Sequence, residues 1–130
     1  MRLAPDRIIL APGDAHLSIE QSGNGHVVKL LRHRVSSGCL PSVDPMFASA
    51  GTEFGASAVG VILTGMGRDG VEGARDLVAK GGSVLAQDET SCAVWGMPRA
   101  VADAGIACAV LSPEKLARRV ASRAEEGSCK

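Results

Sequence analysis

The pattern of apolar and polar positions divides the chain into two parts. In the first part, residues 16–21 alternate between apolar and polar side chains, and residues 26–31 follow as a second apolar-rich segment. Asn24-Gly25 lies between them, and this pair favours the tight turn of a β-hairpin. We therefore predict an antiparallel hairpin near the N-terminus, preceded by a short strand at the mostly apolar residues 7–10.

The second part alternates between apolar runs and helical spacing. The runs are typical of strands buried on both faces of a parallel sheet, and they occupy residues 59–64, 83–87 and 107–111. Apolar side chains at helical spacing predict helices at residues 45–54, 71–79, 98–105 and from 113 onward. Asp44 is expected to cap the first helix and Pro45 to begin it.

This alternation predicts the α/β fold class, with a doubly wound, mostly parallel sheet, helices on both faces and an antiparallel hairpin near the N-terminus. The length of 130 residues suits one domain at most. We expect the last residues, 125–130, to form a polar tail.

Charge and cysteine usage narrow the function classes. Lys and Arg number 14, as do Asp and Glu, and this zero net charge argues against a nucleic-acid partner. The four cysteines lie far apart, without the spacing of metal ligands, so no metal site is predicted. No apolar run is long enough to span a membrane and the start lacks a signal-peptide pattern, so we expect no membrane insertion and a cytoplasmic location.

The candidate chemistry lies in a glycine-rich turn at the end of the first apolar run. Gly65, Gly67 and Gly70 fall between a predicted strand and a predicted helix, where α/β sheets bind ligands. The spacing matches the Gly-x-Gly-x-x-Gly dinucleotide motif, with Asp88 at the end of the next strand as the acidic residue. Against this interpretation, Asp69 places a negative charge where a pyrophosphate would bind.

Two further interpretations concern Asp69 itself. It is able to cap the following helix, with Glu72 three residues later completing a capping box. Alternatively, it is a catalytic acid that orients a histidine base while neighbouring backbone N–H groups bind an oxyanion. The residue pattern alone leaves these alternatives open.

Four motifs in order then connect the chain to a known family. They are Ala11-Pro12-Gly13-Asp14-Ala15-His16, Pro41-Ser42-Val43-Asp44, Leu63-Thr64-Gly65-Met66-Gly67-Arg68-Asp69-Gly70, and Gln87-Asp88-Glu89 followed by Gly96-Met97-Pro98-Arg99-Ala100. Together they resemble the catalytic domain of the CheB-type protein-glutamate methylesterases of bacterial chemotaxis, over residues 7–116.

The resemblance implies an α/β hydrolase with a Ser-His-Asp triad and no cofactor. Such an enzyme hydrolyses glutamate methyl esters on methyl-accepting chemotaxis receptors, and many members also deamidate glutamine. By motif, Asp69 matches the triad acid and Met66 the oxyanion position, with Gly65 and Gly67 as walls of the site.

The family's other two catalytic residues have no counterpart in the matching motifs. Its serine lies in a glycine-rich turn and its base in a Gln-His-Met-Pro segment, and none of His16, His26 and His33 has those neighbours. We therefore expect residues 1–130 to be a partial methylesterase domain that is inactive alone. The upstream half and the receiver domain would then be partners, together with the receptors. The alternative is a catalytically inactive receptor-binding remnant.

Overall fold

A computed structural model describes residues 1–125, so most of the predicted tail at 125–130 lies outside the described residues. The strands are β1 (His16–Ser22), β2 (Gly25–Leu31), β3 (Val59–Ile62), β4 (Ser83–Gln87) and β5 (Ala109–Leu111). The helices are α1 (Val43–Phe54), α2 (Val71–Ala79), α3 (Met97–Asp103) and α4 (Pro113–Glu125), with a short 3₁₀ turn at Gly55–Ser57.

The predicted hairpin forms, but the predicted strand before it does not. β1 and β2 pair antiparallel with Ser22 opposite Gly25. Residues 7–10 form no strand, and Ile8 is 92% exposed. The chain extends the hairpin earlier instead, where Leu3 N–H donates to the His26 carbonyl at 2.9 Å. A short apolar run becomes a strand only where a neighbouring strand supplies hydrogen bonds, and here that place is taken by residues nearer the N-terminus.

The parallel sheet confirms the predicted fold class. Its order is β3-β4-β5, with β4 in the centre, and the hairpin forms a separate sheet. β3 is shorter than the predicted residues 59–64 because the chain leaves the sheet after Ile62. There, the Thr64 N–H donates to the Gln87 side-chain oxygen at 2.7 Å instead of joining the ladder.

Helices cover both faces of this sheet, as predicted. The main core lies on the side of α1, α2 and α3, and its buried residues are Phe47, Ala58, Ile62, Val71, Ala74, Leu77, Val84, Ala86 and Val101. Gly60 lies under Phe47, whose ring would be 2.7 Å from an added Cβ. On the other face, α4 contributes the buried Leu116.

The starts of α1 and α2 differ from the prediction. Ser42, not Asp44, caps α1, because its hydroxyl accepts the Asp44 N–H, and Pro45 lies inside the first turn. α2 begins after Gly70, which has a φ of 102° and makes no side-chain capping bond, so the predicted Asp69–Glu72 capping box is wrong. Each helix start is instead stabilised by a residue from the other helix start.

Candidate functional site

The candidate site lies on the turn between β3 and α2. The loop between β4 and α3 holds this turn in place through hydrogen bonds. The Gly65 N–H donates to the Val94 carbonyl at 3.1 Å. The Gly65 carbonyl accepts the amides of Gly96 and Met97 at 3.2 and 2.9 Å. Gly96 lies so close that an added Cβ would be 2.7 Å from the Gly65 oxygen and 2.9 Å from the Gly67 nitrogen. The turn is therefore fixed by backbone contacts, which only glycine permits at position 96.

The top of the turn faces solvent. The Met66 side chain is 82% exposed, and Gly67 has a φ of 90°. Within residues 1–125, neither the Met66 amide nor the Gly67 amide donates to another backbone or side-chain group. The Gly65 amide, by contrast, is already occupied by Val94. The amides of Met66 and Gly67 are therefore two candidate donors to a ligand oxygen.

The Asp69 carboxylate is buried, with 6% exposure, and both of its oxygens accept hydrogen bonds. The Ser42 hydroxyl donates to Oδ1 at 2.6 Å, and the Val43 N–H donates to Oδ2 at 2.7 Å. These donors form the N-terminus of α1, where the helix dipole favours a negative charge. Asp69 thus caps a helix, but the helix is α1 and not its own α2.

Ser42 is in turn held from behind by a buried histidine. The Ser42 N–H donates to His16 Nδ1 at 2.9 Å, and His16 Nε2 is 2.8 Å from the His33 carbonyl. Because Nδ1 accepts, Nε2 must carry the hydrogen and donate it. His16 is 1% exposed, and both ring nitrogens are occupied by backbone groups. Its role in this structure is to fix the position of Ser42.

Asp44 makes the reciprocal contact at the start of α2. Its carboxylate accepts the Gly73 N–H at 2.8 Å. Burial raises the pKa of the Asp44 carboxyl above its ordinary value of 3.8, the Gly73 bond opposes this, and the nearby Asp69 charge adds to it. Gly73 permits the close crossing, because an added Cβ would be 2.7 Å from Asp44 backbone atoms.

A cleft of about 420 Å³ opens beside Asp69. Its walls come from the loop before α1, the first turn of α1, the glycine turn and the first residues of α2, and they are Ser36, Ser37, Cys39, Asp44, Gly67, Arg68, Asp69, Val71 and Glu72. A small polar group that entered this cleft would therefore reach the carboxylate and the turn together.

Ser42, His16 and Asp69 are in contact, yet their order is not that of a catalytic triad. In a triad the serine hydroxyl donates to the histidine, and the histidine donates to the carboxylate. Here the Ser42 hydroxyl donates directly to Asp69, and His16 bonds only backbone groups. His26 lies elsewhere, 3.2 Å from Glu53.

The sequence interpretation missed Ser42 as the cap of α1 and the hydrogen-bond partners of His16. Both belong to motifs that were recognised, but the pattern predicted Asp44 as the cap and offered no partner for His16. The sequence did contain a signal for Ser42, because a serine directly before an apolar helix is a preferred N-cap.

A second feature, on the opposite face of the sheet, is an open apolar groove of about 480 Å³. It lies between the edge strand β3 and α4 and is lined by Val61, Leu63, Pro113, Leu116, Ala117, Val120 and Ala121. Leu63 and Val120 are 53% and 40% exposed. Within the described residues, no strand pairs with the outer edge of β3.

The fold is an α/β domain with a glycine-rich turn at the end of a parallel strand, and comparison with known proteins identifies its family. The family model for the CheB methylesterase matches residues 1–120. A protein-glutamate methylesterase/protein-glutamine glutaminase of Maricaulis maris is 43% identical over 127 residues, which are 98% of this chain and 32% of the relative. One from the group 2 operon of Bradyrhizobium diazoefficiens is 47% identical over 89% of this chain and 29% of the relative.

A solved structure is similar as well. The crystal structure of the Thermotoga maritima CheB methylesterase catalytic domain matches with a TM-score of 0.77 and 37% identity, over 82% of this chain and 58% of that domain. The chain therefore belongs to the CheB methylesterase family, as its motifs predicted. It spans about 30% of the length of the curated relatives and 58% of the solved domain. Among residues 1–125, no helix is long and apolar enough to cross a membrane.

Proposed function

We propose that this chain is the Asp-bearing part of a protein-glutamate methylesterase catalytic domain that acts on chemoreceptors in the cytoplasm. The remaining part of the domain supplies the nucleophilic serine and the histidine base. Asp69 is the triad acid, the Met66 amide binds the oxyanion, and Gly65 and Gly67 shape the turn that presents it. The family match leaves the dinucleotide interpretation of this turn without support.

The observation that carries this proposal is the position of the Asp69 carboxylate. It is buried, fixed by two short hydrogen bonds, and lies beside a cleft that also reaches the glycine turn. A triad acid needs this combination, because it must hold an imidazole in one orientation and remain charged while the imidazole becomes positive. A histidine entering the cleft would donate to a remaining lone pair of the carboxylate.

The chemistry divides between the two parts of the domain. The serine of the other part attacks the ester carbonyl, its proton moves to the histidine, and the carbonyl electron pair becomes the oxyanion. The Met66 amide, which has no partner among the described residues, donates to that oxyanion. Collapse releases methanol, which takes the proton from the histidine, and water then hydrolyses the acyl-enzyme to the glutamate. Asp69 stabilises the positive imidazole in both steps.

The test is reconstitution with the part of the Thermotoga maritima catalytic domain that this chain does not cover. We expect methanol release from a methylated receptor fragment by the combined parts and none by either part alone. Asp69→Asn should reduce kcat by about 10³- to 10⁴-fold, by analogy with other Ser-His-Asp triads. Asp103→Asn, at an exposed carboxylate on α3, is the matched control and should retain full activity.

The rival interpretation is a receptor-binding remnant without catalysis. It is favoured by the Ser42, His16 and Asp69 contacts, which occupy these side chains in a non-catalytic arrangement. A combined assembly that binds receptor but releases no methanol would support the remnant and contradict the methylesterase proposal. Activity within a few-fold of the parent in Asp69→Asn, with an unchanged melting temperature, would leave Asp69 as a helix cap alone.

A further inference from the structure

We infer that Ser42 is a positioning residue for Asp69, an inference that rests on the proposed function. The Ser42 hydroxyl has two bonds that point in different directions. It donates to Asp69 Oδ1 at 2.6 Å and accepts the Asp44 N–H at 3.1 Å. A hydroxyl has one hydrogen to donate. Because the Asp44 N–H occupies one side of the Ser42 oxygen, the hydroxyl hydrogen is directed away from that amide and toward Asp69.

The second oxygen of Asp69 is fixed by the same helix start. The Val43 N–H donates to Oδ2 at 2.7 Å, so the two donors hold the carboxylate at both ends. Two bonds to adjacent residues define the plane of the carboxylate and therefore the direction of its remaining lone pairs. Ser42 is 4% exposed, so water does not readily replace its hydroxyl.

A buried chain of bonds supports this clamp from the hairpin. His16 is the first residue of β1. It accepts the Ser42 N–H at 2.9 Å and donates to the His33 carbonyl at 2.8 Å. The hairpin therefore sets the position of Ser42, and Ser42 sets the orientation of Asp69. This gives the separate hairpin sheet a part in the proposed catalytic geometry, although His16 itself bonds only backbone groups.

A purely structural capping role predicts different kinetics from a positioning role. Loss of a cap lowers stability and reduces the amount of active protein whatever residue occupies position 69. Loss of a positioning hydroxyl lowers kcat, leaves KM unchanged, and matters only while Asp69 is present. Ser42→Gly separates the two, because glycine is nearly as good an N-cap as serine but has no hydroxyl to donate to Asp69.

The experiment is a double-mutant cycle in the reconstituted assembly, with kcat and KM measured for the parent, Ser42→Gly, Asp69→Asn and the double variant. We expect Ser42→Gly to lower kcat about 10- to 100-fold at unchanged KM, by analogy with the loss of residues that orient metal ligands in metalloenzymes. In the Asp69→Asn background the same change should alter kcat less than 3-fold. If the two sites were independent, the fold-loss would be the same in both backgrounds. Thr52→Ala, at an exposed hydroxyl in the same helix, is the control.

Ser42→Gly with a kcat within two-fold of an active parent would overturn this inference and leave the proposed function intact. So would an equal loss of kcat with and without Asp69, because that is the result of a structural role. An unaltered assembly that folds and releases no methanol would overturn the proposed function and this inference together. Ser42→Thr retains the hydroxyl, and recovery of kcat in that variant would add support.

Discussion

The polar cluster around Asp69 and the apolar groove beside β3 differ in whether their groups have partners within the chain. In the cluster, both Asp69 oxygens and both His16 nitrogens have partners within the chain. In the groove, Leu63 is 53% exposed, and the outer edge of β3 has no partner strand among the described residues. A buried polar group without a hydrogen-bond partner costs kilocalories of stability, so such groups are paired within the chain. An exposed apolar surface costs much less, so it persists until a partner covers it.

This difference suggests which features form within the chain alone and which need the rest of the domain. The acid of the proposed triad is oriented before any other part of the domain binds, since its partners lie on α1. The apolar groove, in contrast, remains open, and we predict that the other part of the domain covers it. An exposed apolar face next to an unpaired strand edge is a typical place for a further strand to add.

The largest expected effect is on assembly, through Leu63→Lys. The change places a charge in the apolar groove, so we expect association with the complementary part of the domain to weaken at least about 100-fold, or about 3 kcal/mol. The chain's own free energy of unfolding should change by less than about 0.5 kcal/mol, because the side chain is exposed. Titration calorimetry and denaturant unfolding measure the two quantities.

The control for this prediction is Val78→Lys, which places the same charge on α2 at a position with 40% exposure. It should leave association unchanged. If both variants associate as tightly as the parent, the groove is not the surface that completes the domain.

The polar cluster should respond in the opposite way, through stability and not assembly. His16→Ala removes the acceptor of the buried Ser42 N–H and leaves a cavity, so we expect a loss of about 3 kcal/mol in the free energy of unfolding. His33→Ala keeps the carbonyl that His16 binds and should cost less than about 1 kcal/mol. Equal effects of the two changes would mean that the His16 bonds contribute little.

A smaller effect is expected for Gly96→Ala, which tests the base of the glycine turn. The added Cβ would meet backbone atoms of Gly65 and Gly67 at 2.7 to 3.0 Å, and these cannot rotate away. We expect destabilisation of about 1–3 kcal/mol, together with loss of activity in the assembly. Gly13→Ala, where nothing lies within 4 Å, should be nearly neutral by thermal unfolding. A neutral Gly96→Ala would mean that the turn is not tightly packed.

The smallest expected effect is a pH dependence that arises from Asp44. Because burial raises its pKa above 3.8, the folded chain keeps a proton that the unfolded chain has lost. Asp44 therefore makes stability fall as pH rises from 3.8 through the raised pKa. Asp44→Asn keeps an acceptor for the Gly73 N–H and removes this titration.

The Asn variant should consequently gain stability relative to the parent as pH increases through this window, with no further change above it. Denaturant unfolding between about pH 3 and 7 measures the difference. Asp103→Asn, at an exposed carboxylate, serves as the control. A relative loss of stability with rising pH would contradict the sign argued here.

Local sequence patterns determined much of this structure. The apolar runs and helical spacing identified the parallel strands, the hairpin and the four helices, because those patterns record which faces of an element are buried. The glycine spacing located the turn that carries Asp69, since a positive φ at Gly67 and Gly70 is a local requirement. The ordered motifs identified the family.

Tertiary structure decided the partners of the polar residues. Asp69 and Glu72 fit a capping box by local rules, but Asp69 bonds Ser42, 27 positions earlier in the chain. Residues 7–10 have the composition of a strand but lack the neighbour that would pair with them. A side chain's local preference is worth about 1 kcal/mol, and a buried hydrogen bond to a charge from a distant element is worth more. Local spacing therefore determined where Asp69 lies in the chain, while the crossing of α1 and α2 determined what holds it.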